Sequence, residues 1–198
     1  WRTGGEVRVR REQITEGEIK AGGIRTGKLI ADYVLSYKNR KLAVIEAKSN
    51  KVEVREGVAQ AKLYAQKLNL ENSFAANGNE IYQICHKTGT EGLVERFPTP
   101  EELWKKTFAE PNEWLEKFNA VPFEDLNGTK HSRYYQEVAV NNVMEAIAND
   151  KKRILLTLAT GTGKTFIAFQ IAWKLFKSRW NKQRDAKRMP RILFLADR

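Results

Sequence analysis

The sequence predicts an α/β chain, with a mixed sheet flanked by helices first and the beginning of a second α/β unit after it. Three observations carry this. Two short apolar runs, Leu29 to Leu35 and Leu42 to Ile45, enclose the polar cluster Lys38-Asn39-Arg40-Lys41, the pattern of a hairpin. The apolar spacing then becomes helical, with Val54, Val58, Ala61, Ala65 and Leu68 recurring at three and four. Finally, the glycine-rich run Gly161-Thr162-Gly163-Lys164-Thr165 lies between an apolar run and an amphipathic segment, as a strand–loop–helix unit requires.

The remaining elements follow in order. Asn77-Gly78 is a turn between the helix of residues 53–70 and a strand over Ile81 to Cys85. Phe97-Pro98-Thr99-Pro100 interrupts the pattern, and a helix starts at Glu101 with Pro100 in its first turn. Pro111, Pro122 and Asn127-Gly128 punctuate what comes next. Residues 96–132 are therefore a connector with some helix of its own, between a first domain of residues 1–95 and a second of residues 133–198. A helix over Tyr135 to Ala148 leads to a buried strand over Arg153 to Leu158, a helix over Lys164 to Phe176, and a second buried strand over Ile192 to Leu195.

Composition bounds the function. With 198 residues, 41% hydrophobic, the chain has material for a packed core and room for two domains at most. One cysteine excludes an internal disulfide framework, and two histidines beside it leave too few soft ligands for a structural zinc site. The start shows no secretory pattern, no run is long enough to span a membrane, and a cytoplasmic location is expected. Since the first residue is Trp1, the natural N-terminus is expected to lie upstream. The net charge of +11 points to a polyanion, with nucleic acid ahead of an acidic membrane.

The loop Ala159-Thr160-Gly161-Thr162-Gly163-Lys164-Thr165 has the chemistry of a nucleotide site. Glycines let backbone N–H groups close on phosphate oxygens, and the following helix adds its positive end. Lys164 would neutralise phosphate charge, the Thr165 hydroxyl would ligate Mg²⁺, and Thr160, Gly161, Thr162 and Gly163 would form the cradle for ATP. Leu158 stands where the general pattern has its first glycine, as in the shorter loop of superfamily 2 helicases. Upstream, Arg133-Tyr134-Tyr135-Gln136 resembles the adenine-reading motif of that superfamily, with Gln136 offering a donor and an acceptor.

A second group of residues suits phosphodiester hydrolysis. Glu46 and Lys48 are two apart on a strand, so both leave one face, and Asp32 belongs to the neighbouring strand. Two carboxylates from adjacent strands can share a Mg²⁺, which takes few protein ligands. A loop of three residues, Lys38-Asn39-Arg40, pairs Tyr37 with Lys41 and sets Asp32 across from Glu46; a four-residue loop would send Asp32 to the other face unless a bulge intervenes. Gln60 and Tyr64, four apart, share a face of the next helix.

Asp32 with Glu46-Ala47-Lys48 matches the PD-(D/E)xK nuclease spacing. Taken with Gln60 and Tyr64, Asn77-Gly78, Thr88-Gly89-Thr90, Arg133 to Gln136, Leu158 to Thr165 and Ile192 to Arg198, it resembles the R (restriction) subunit of type I restriction-modification enzymes. The resemblance implies a PD-(D/E)xK restriction-endonuclease-like sheet followed by the start of a RecA-like motor. It implies Asp32, Glu46 and Lys48 as catalytic residues, Gln60 and Tyr64 as DNA-contacting, and Mg²⁺ and ATP as cofactors. The expected partners are double-stranded DNA and the methyltransferase and specificity subunits, and the implied activity is ATP-driven DNA translocation coupled to cleavage. Only about 40 residues follow Leu158, too few for the roughly 100–150 of a whole domain, so complete ATPase machinery is not expected.

Other readings differ in class. The alternatives are another superfamily 2 helicase–nuclease fusion from repair or anti-phage defence, a DNA-binding module with a degenerate nuclease, and a phosphate-loop kinase. The last leaves the acid-x-Lys strand unexplained. The basic stretch Lys174, Lys177, Arg179, Lys182, Arg184, Lys187, Arg188 and Arg191 could track a DNA backbone or form a solvated loop. Cys85, His86 and His131 read as structural.

Overall fold

The computed structural model describes residues 1–15, 27–108 and 110–195, and its chain divides into two compact units, Trp1–Pro111 and Asn112–Arg198. The first unit is built on a six-stranded sheet in sequence order. Its strands are β1 (Val7–Thr15), β2 (Leu29–Tyr37), β3 (Arg40–Ala47), β4 (Asn72–Ala76), β5 (Ile81–Cys85) and β6 (Glu91–Val94). β3 and β4 run parallel, and every other neighbouring pair is antiparallel. Parallel neighbours need a crossover. Here it is a 3₁₀ turn, Val54–Gly57, leading into helix α1 (Val58–Leu68), which ends at Asn69 in a left-handed conformation.

Both faces of the sheet are covered. On one, Val54 and Ala61 from the crossover pack with Ala75, Tyr82 and Ile84. On the other, Leu103 and Trp104 of helix α2 (Pro100–Thr107) pack with Leu35, Leu42, Ala43, Ile45 and Phe74. β3 is central enough that Leu42, Ala43, Val44, Ile45 and Glu46 are all buried. The α2 start has the chemistry its sequence advertises: the Thr99 side chain accepts from the Glu102 N–H, and the Glu102 carboxylate accepts from the Thr99 N–H. Arg96 grips the same carboxylate with two bonds of 2.8 Å, and together these hold its pKa down at about 2.

The expected hairpin is present, but its turn is shorter than expected. Lys38 and Asn39 alone form it, both with positive φ, and Tyr37 pairs with Arg40 rather than with Lys41. Such a two-residue turn matches the twist of the flanking strands. A bulge at Leu42 then moves the register by one, from Ser36 opposite Lys41 to Leu35 opposite Ala43 and Tyr33 opposite Ile45. The next step sets Asp32 across from Glu46, the register the longer loop would have given. Strands β1, β4 and β6 were not expected, and β4 now lies between α1 and the Asn77-Gly78 turn.

The second unit contains α3 (Glu113–Ala120), α4 (Tyr134–Ala148) and α5 (Lys164–Lys177), with α3 against α4 and α4 against α5. Two buried polar side chains of α5 tie down the segment after α3. Gln170 accepts from the Glu124 N–H and donates to the Glu124 carbonyl, and Lys174 Nζ donates to the carbonyls of Phe118 and Val121. Lys174 is thus part of the packing rather than of a basic track, and Arg184 likewise caps α4 through the carbonyls of Ile147 and Ala148.

The two buried strands expected here are not strands. Residues 153–158 and 192–195 have no strand conformation, and Leu155 is 89% exposed, Leu193 82% and Leu195 81%. The physical reason is the absence, among the described residues, of any strand to pair with them; an extended run without a ladder leaves its backbone to water. Ala196, Asp197 and Arg198, the end of the expected helicase motif, lie outside the described residues.

Candidate nuclease site and nucleotide loop

β3 enters the core as an apolar run and emerges with Glu46 still 3% exposed, its neighbour Ala76 at the end of β4 accepting from the Lys48 N–H at 2.8 Å. Alternation sends Glu46 and Lys48 to the α1 side of the sheet. Asp32 reaches the same end of β3: its Oδ2 accepts from the Ala47 N–H at 2.9 Å. A bulge helps aim it, because Asp32 and Tyr33 of β2 together face the single residue Arg11 of β1, between the pairs Arg10–Val34 and Glu12–Ala31.

Around these carboxylates runs a chain of polar contacts. Lys48 Nζ donates to Glu46 Oε1 at 2.8 Å and to Gln60 Oε1 at 3.0 Å, and the Gln60 amide donates to the Tyr64 hydroxyl. Burial pushes the Glu46 carboxyl up from the usual carboxylate range, and the nearby Asp32 charge adds to this against the pull of the Lys48 hydrogen bond. The bond to Glu46 in turn raises the Lys48 ammonium, keeping it charged. Glu46 Oε2 is buried with no hydrogen-bond partner. A buried orphan oxygen is costly unless a ligand takes it up.

That orphan is the test for a divalent ion. Glu46 Oε2 and Asp32 Oδ1 are left for a cation once Lys48 and Ala47 have taken the other two oxygens. No cluster of three or more His, Cys, Asp or Glu occurs among the described residues, so a metal here would have two protein carboxylates. Mg²⁺ tolerates that, filling its octahedron with water and phosphate oxygens. The residues fit the ion.

In the second unit the sequence-predicted nucleotide residues also come together. Gly161 and Gly163 adopt φ of 77° and 82°, and Gly163 caps α5 without a side-chain bond, leaving first-turn N–H groups for an anion. Thr162 Oγ1 and Lys164 Nζ both donate to the Ala159 carbonyl, at 2.7 and 3.2 Å, closing the loop on itself, while Thr160 and Thr165 are exposed. Gln136 is 7% exposed; its Nε2 donates to the Thr162 carbonyl and its Oε1 accepts from the Arg133 N–H. One N–H and one lone pair of that amide remain, the complement an adenine edge needs. The loop fits a nucleotide.

Comparison with known proteins follows the same division. Residues 9–100 match a family model described as the second domain of the type I restriction enzyme EcoKI endonuclease subunit, and residues 129–198 match one described as the res subunit of type III restriction enzymes. Over 179 residues the chain is 41% identical to the EcoAI endonuclease subunit of Escherichia coli, covering 85% of the chain and 21% of that protein. Identity to the EcoKI endonuclease subunit of Escherichia coli K12 is 29%, over 85% of the chain and 18% of the relative. A solved fragment of an HsdR subunit of a type I restriction enzyme from Vibrio vulnificus YJ016 superposes with a TM-score of 0.80 at 38% identity, over 92% of this chain and 36% of that one. These matches support a fragment of a type I restriction R subunit. The chain spans about a fifth of the length of the curated relatives it matches.

Two residues with no expected site role, Gly57 and Asn77, support the carboxylate site, and Gly163 gains a further constraint. Gly57 lies where a Cβ would meet Ala75 Cβ at 3.2 Å, Glu46 Cγ at 3.4 Å and Lys48 Cγ at 3.5 Å, so its lack of a side chain lets the crossover close on β3. Asn77 is buried, donates to the Val52 carbonyl and accepts from the N–H groups of Asn79 and Glu80, pinning the loop after β3 to the β4–β5 turn. At Gly163 a Cβ would come within 2.6 Å of Gln136 Nε2. The sequence signal for Gly57 is faint: a glycine inside the helix-period run of residues 53–70. Tyr64, expected to contact DNA, is 2% exposed, and its hydroxyl accepts from the Gln60 amide.

Proposed function

We propose that this chain carries the cutting site and the first part of the motor of an ATP-dependent restriction enzyme. In that reading it cleaves double-stranded DNA with Mg²⁺ while ATP hydrolysis drives translocation, alongside methyltransferase and specificity subunits. The observation that carries the nuclease reading is the buried Glu46 with an orphaned Oε2, set across from Asp32 and bonded to Lys48. When bound, Mg²⁺ supplies the Lewis-acid chemistry that lowers the pKa of water and neutralises the phosphate.

The chain's own residues do the rest. Asp32 and Glu46 hold the ion at the open end of β3, where strand register fixes their separation. Lys48, kept charged by Glu46, orients the attacking water and balances charge on the pentacovalent phosphate. Gln60 holds the ammonium from the α1 side, and Tyr64 holds Gln60; of the pair, Gln60 is the one less buried and closer to where DNA would lie. In the second unit, Gly161, Thr162, Gly163 and Lys164 bind the ATP phosphates, Thr165 faces the associated Mg²⁺, and Gln136 reads the base. Thr160 lines the loop.

Separation of function tests this in the intact complex. Lys48→Ala should abolish cleavage and spare DNA-stimulated ATP hydrolysis, whereas Lys164→Ala should remove both. Normal cleavage by Lys48→Ala would overturn the nuclease assignment.

A further inference from the structure

The sheet face that carries Asp32 and Glu46 continues onto the edge strand β1. In the antiparallel ladder, Arg10 pairs with Val34 and Arg8 with Ser36, while Val34 pairs with Val44. Paired residues share a face, and Asp32 and Glu46 lie two residues from Val34 and Val44 on it. Arg10 is therefore one row from the two carboxylates, and Arg8 one row further. The opposite face confirms the assignment: Val9, between the two arginines, pairs with Leu35 and packs against the core cluster under α2.

Helix α1 lies mainly over β3 and β4 and touches β1 and β2 only lightly. Arg8 and Arg10 are both exposed there. They stand about 6.6 Å apart along the strand and, with Lys48, make a basic border to the carboxylate pair. Exposed guanidinium groups on a rigid strand suit the successive phosphates of a nucleic-acid backbone, which each can grip through two N–H groups. The occupant consistent with the charge, and with the neighbouring hydrolytic site, is duplex DNA.

We propose that Arg8 and Arg10 seat the phosphate backbone beside the scissile group, so that the edge strand β1 is part of the DNA-binding surface of the nuclease. This rests on the nuclease reading of Asp32, Glu46 and Lys48. It also divides the labour between positively charged groups: Lys48 serves the reacting phosphate, and β1 serves its neighbours.

The test uses the intact restriction complex carrying Arg8→Ala with Arg10→Ala, the double Lys counterpart, and Lys48→Ala as a control. DNA binding is measured across a salt series, with cleavage and ATP hydrolysis alongside. The double Ala variant should cut at least tenfold more slowly with ATP hydrolysis unchanged, and the slope of log affinity against log salt should fall by about two. The double Lys variant should recover most of the cleavage and the salt slope, which a purely structural role for β1 would not produce. Wild-type cleavage and slope in the double Ala variant would overturn the inference, as would equal loss in the Ala and Lys variants. If Lys48→Ala still cuts, the nuclease reading fails first; if only the β1 variants behave as wild type, that reading stands without this one.

Discussion

Residues 42–46 and residues 153–158 look alike as sequence, and the protein treats them in opposite ways. Leu42 to Glu46 are all buried in the sheet, whereas Ile154, Leu155 and Leu156 are exposed and in no strand. The apolar content is similar. What differs is company: β3 has β2 on one side, β4 on the other, α1 above and α2 below, all within the described residues. Neither 153–158 nor 192–195 has a strand beside it there. An apolar run states that burial is wanted; a ladder decides whether a strand forms.

The sharpest way to break this comparison is to place the same charge in both runs. Val44→Asp should cost the first unit about 4 kcal/mol or more, since it buries an unpaired carboxylate in the middle of the sheet. Leu155→Asp should shift stability by no more than about 0.5 kcal/mol, because that side chain is already in water. Denaturant titration of both variants checks it. Equal losses would mean that residues 153–158 are buried in solution.

Charge that β3 already carries gives the next effect. Glu46→Gln should lower cleavage by about a hundredfold or more, through loss of metal binding worth several kcal/mol at the transition state. In metal-free protein the same change should raise stability. Its carboxyl pKa is raised by folding, so the ionised group opposes folding at neutral pH. The gain should be full above the raised pKa and vanish below the ordinary carboxylate range, where both states are protonated. Thermal melts across pH with chelator present measure this.

Smaller effects sharpen what the surroundings of β3 contribute. Gly57→Ala should destabilise by about 1 kcal/mol and slow cleavage, as the new methyl group presses on Ala75, Glu46 and Lys48. Thr99→Ala removes the cap of α2 on the other face and should cost about 1 kcal/mol without altering the cleavage rate of the folded enzyme. Melts paired with cleavage assays separate the two.

Legibility followed the range of the interactions. The hairpin, α1, α2, α4, α5 and the glycine loop were readable, because turn chemistry, caps and helical periodicity are local. β4 was not: Asn72-Ser73-Phe74-Ala75-Ala76 is small and polar, and it is a strand because β3 and β5 supply its ladder. β1 hid for a related reason, its Arg8 and Arg10 alternating with valines that only the α2-side core makes visible. The register of Asp32 against Glu46 was expected for a three-residue turn; a two-residue turn and a bulge at Leu42 produce it instead. The shared face of Asp32 and Glu46 was legible where the turn geometry was not, since a bulge can restore a register that the loop length shifts. The orphaned Glu46 Oε2 and the close approach of Gly57 depend on contacts between distant segments, which no spacing announces.

Anomalous scattering from Mn²⁺ bound to the crystallised protein tests the central claim most directly. The account predicts one peak at the open end of β3, ligated by Asp32 and Glu46 at roughly the 2.0–2.2 Å of a hard divalent ion, and absent from Glu46→Gln crystals. A divalent ion bound elsewhere in the first unit, with Asp32 and Glu46 unliganded, would contradict it.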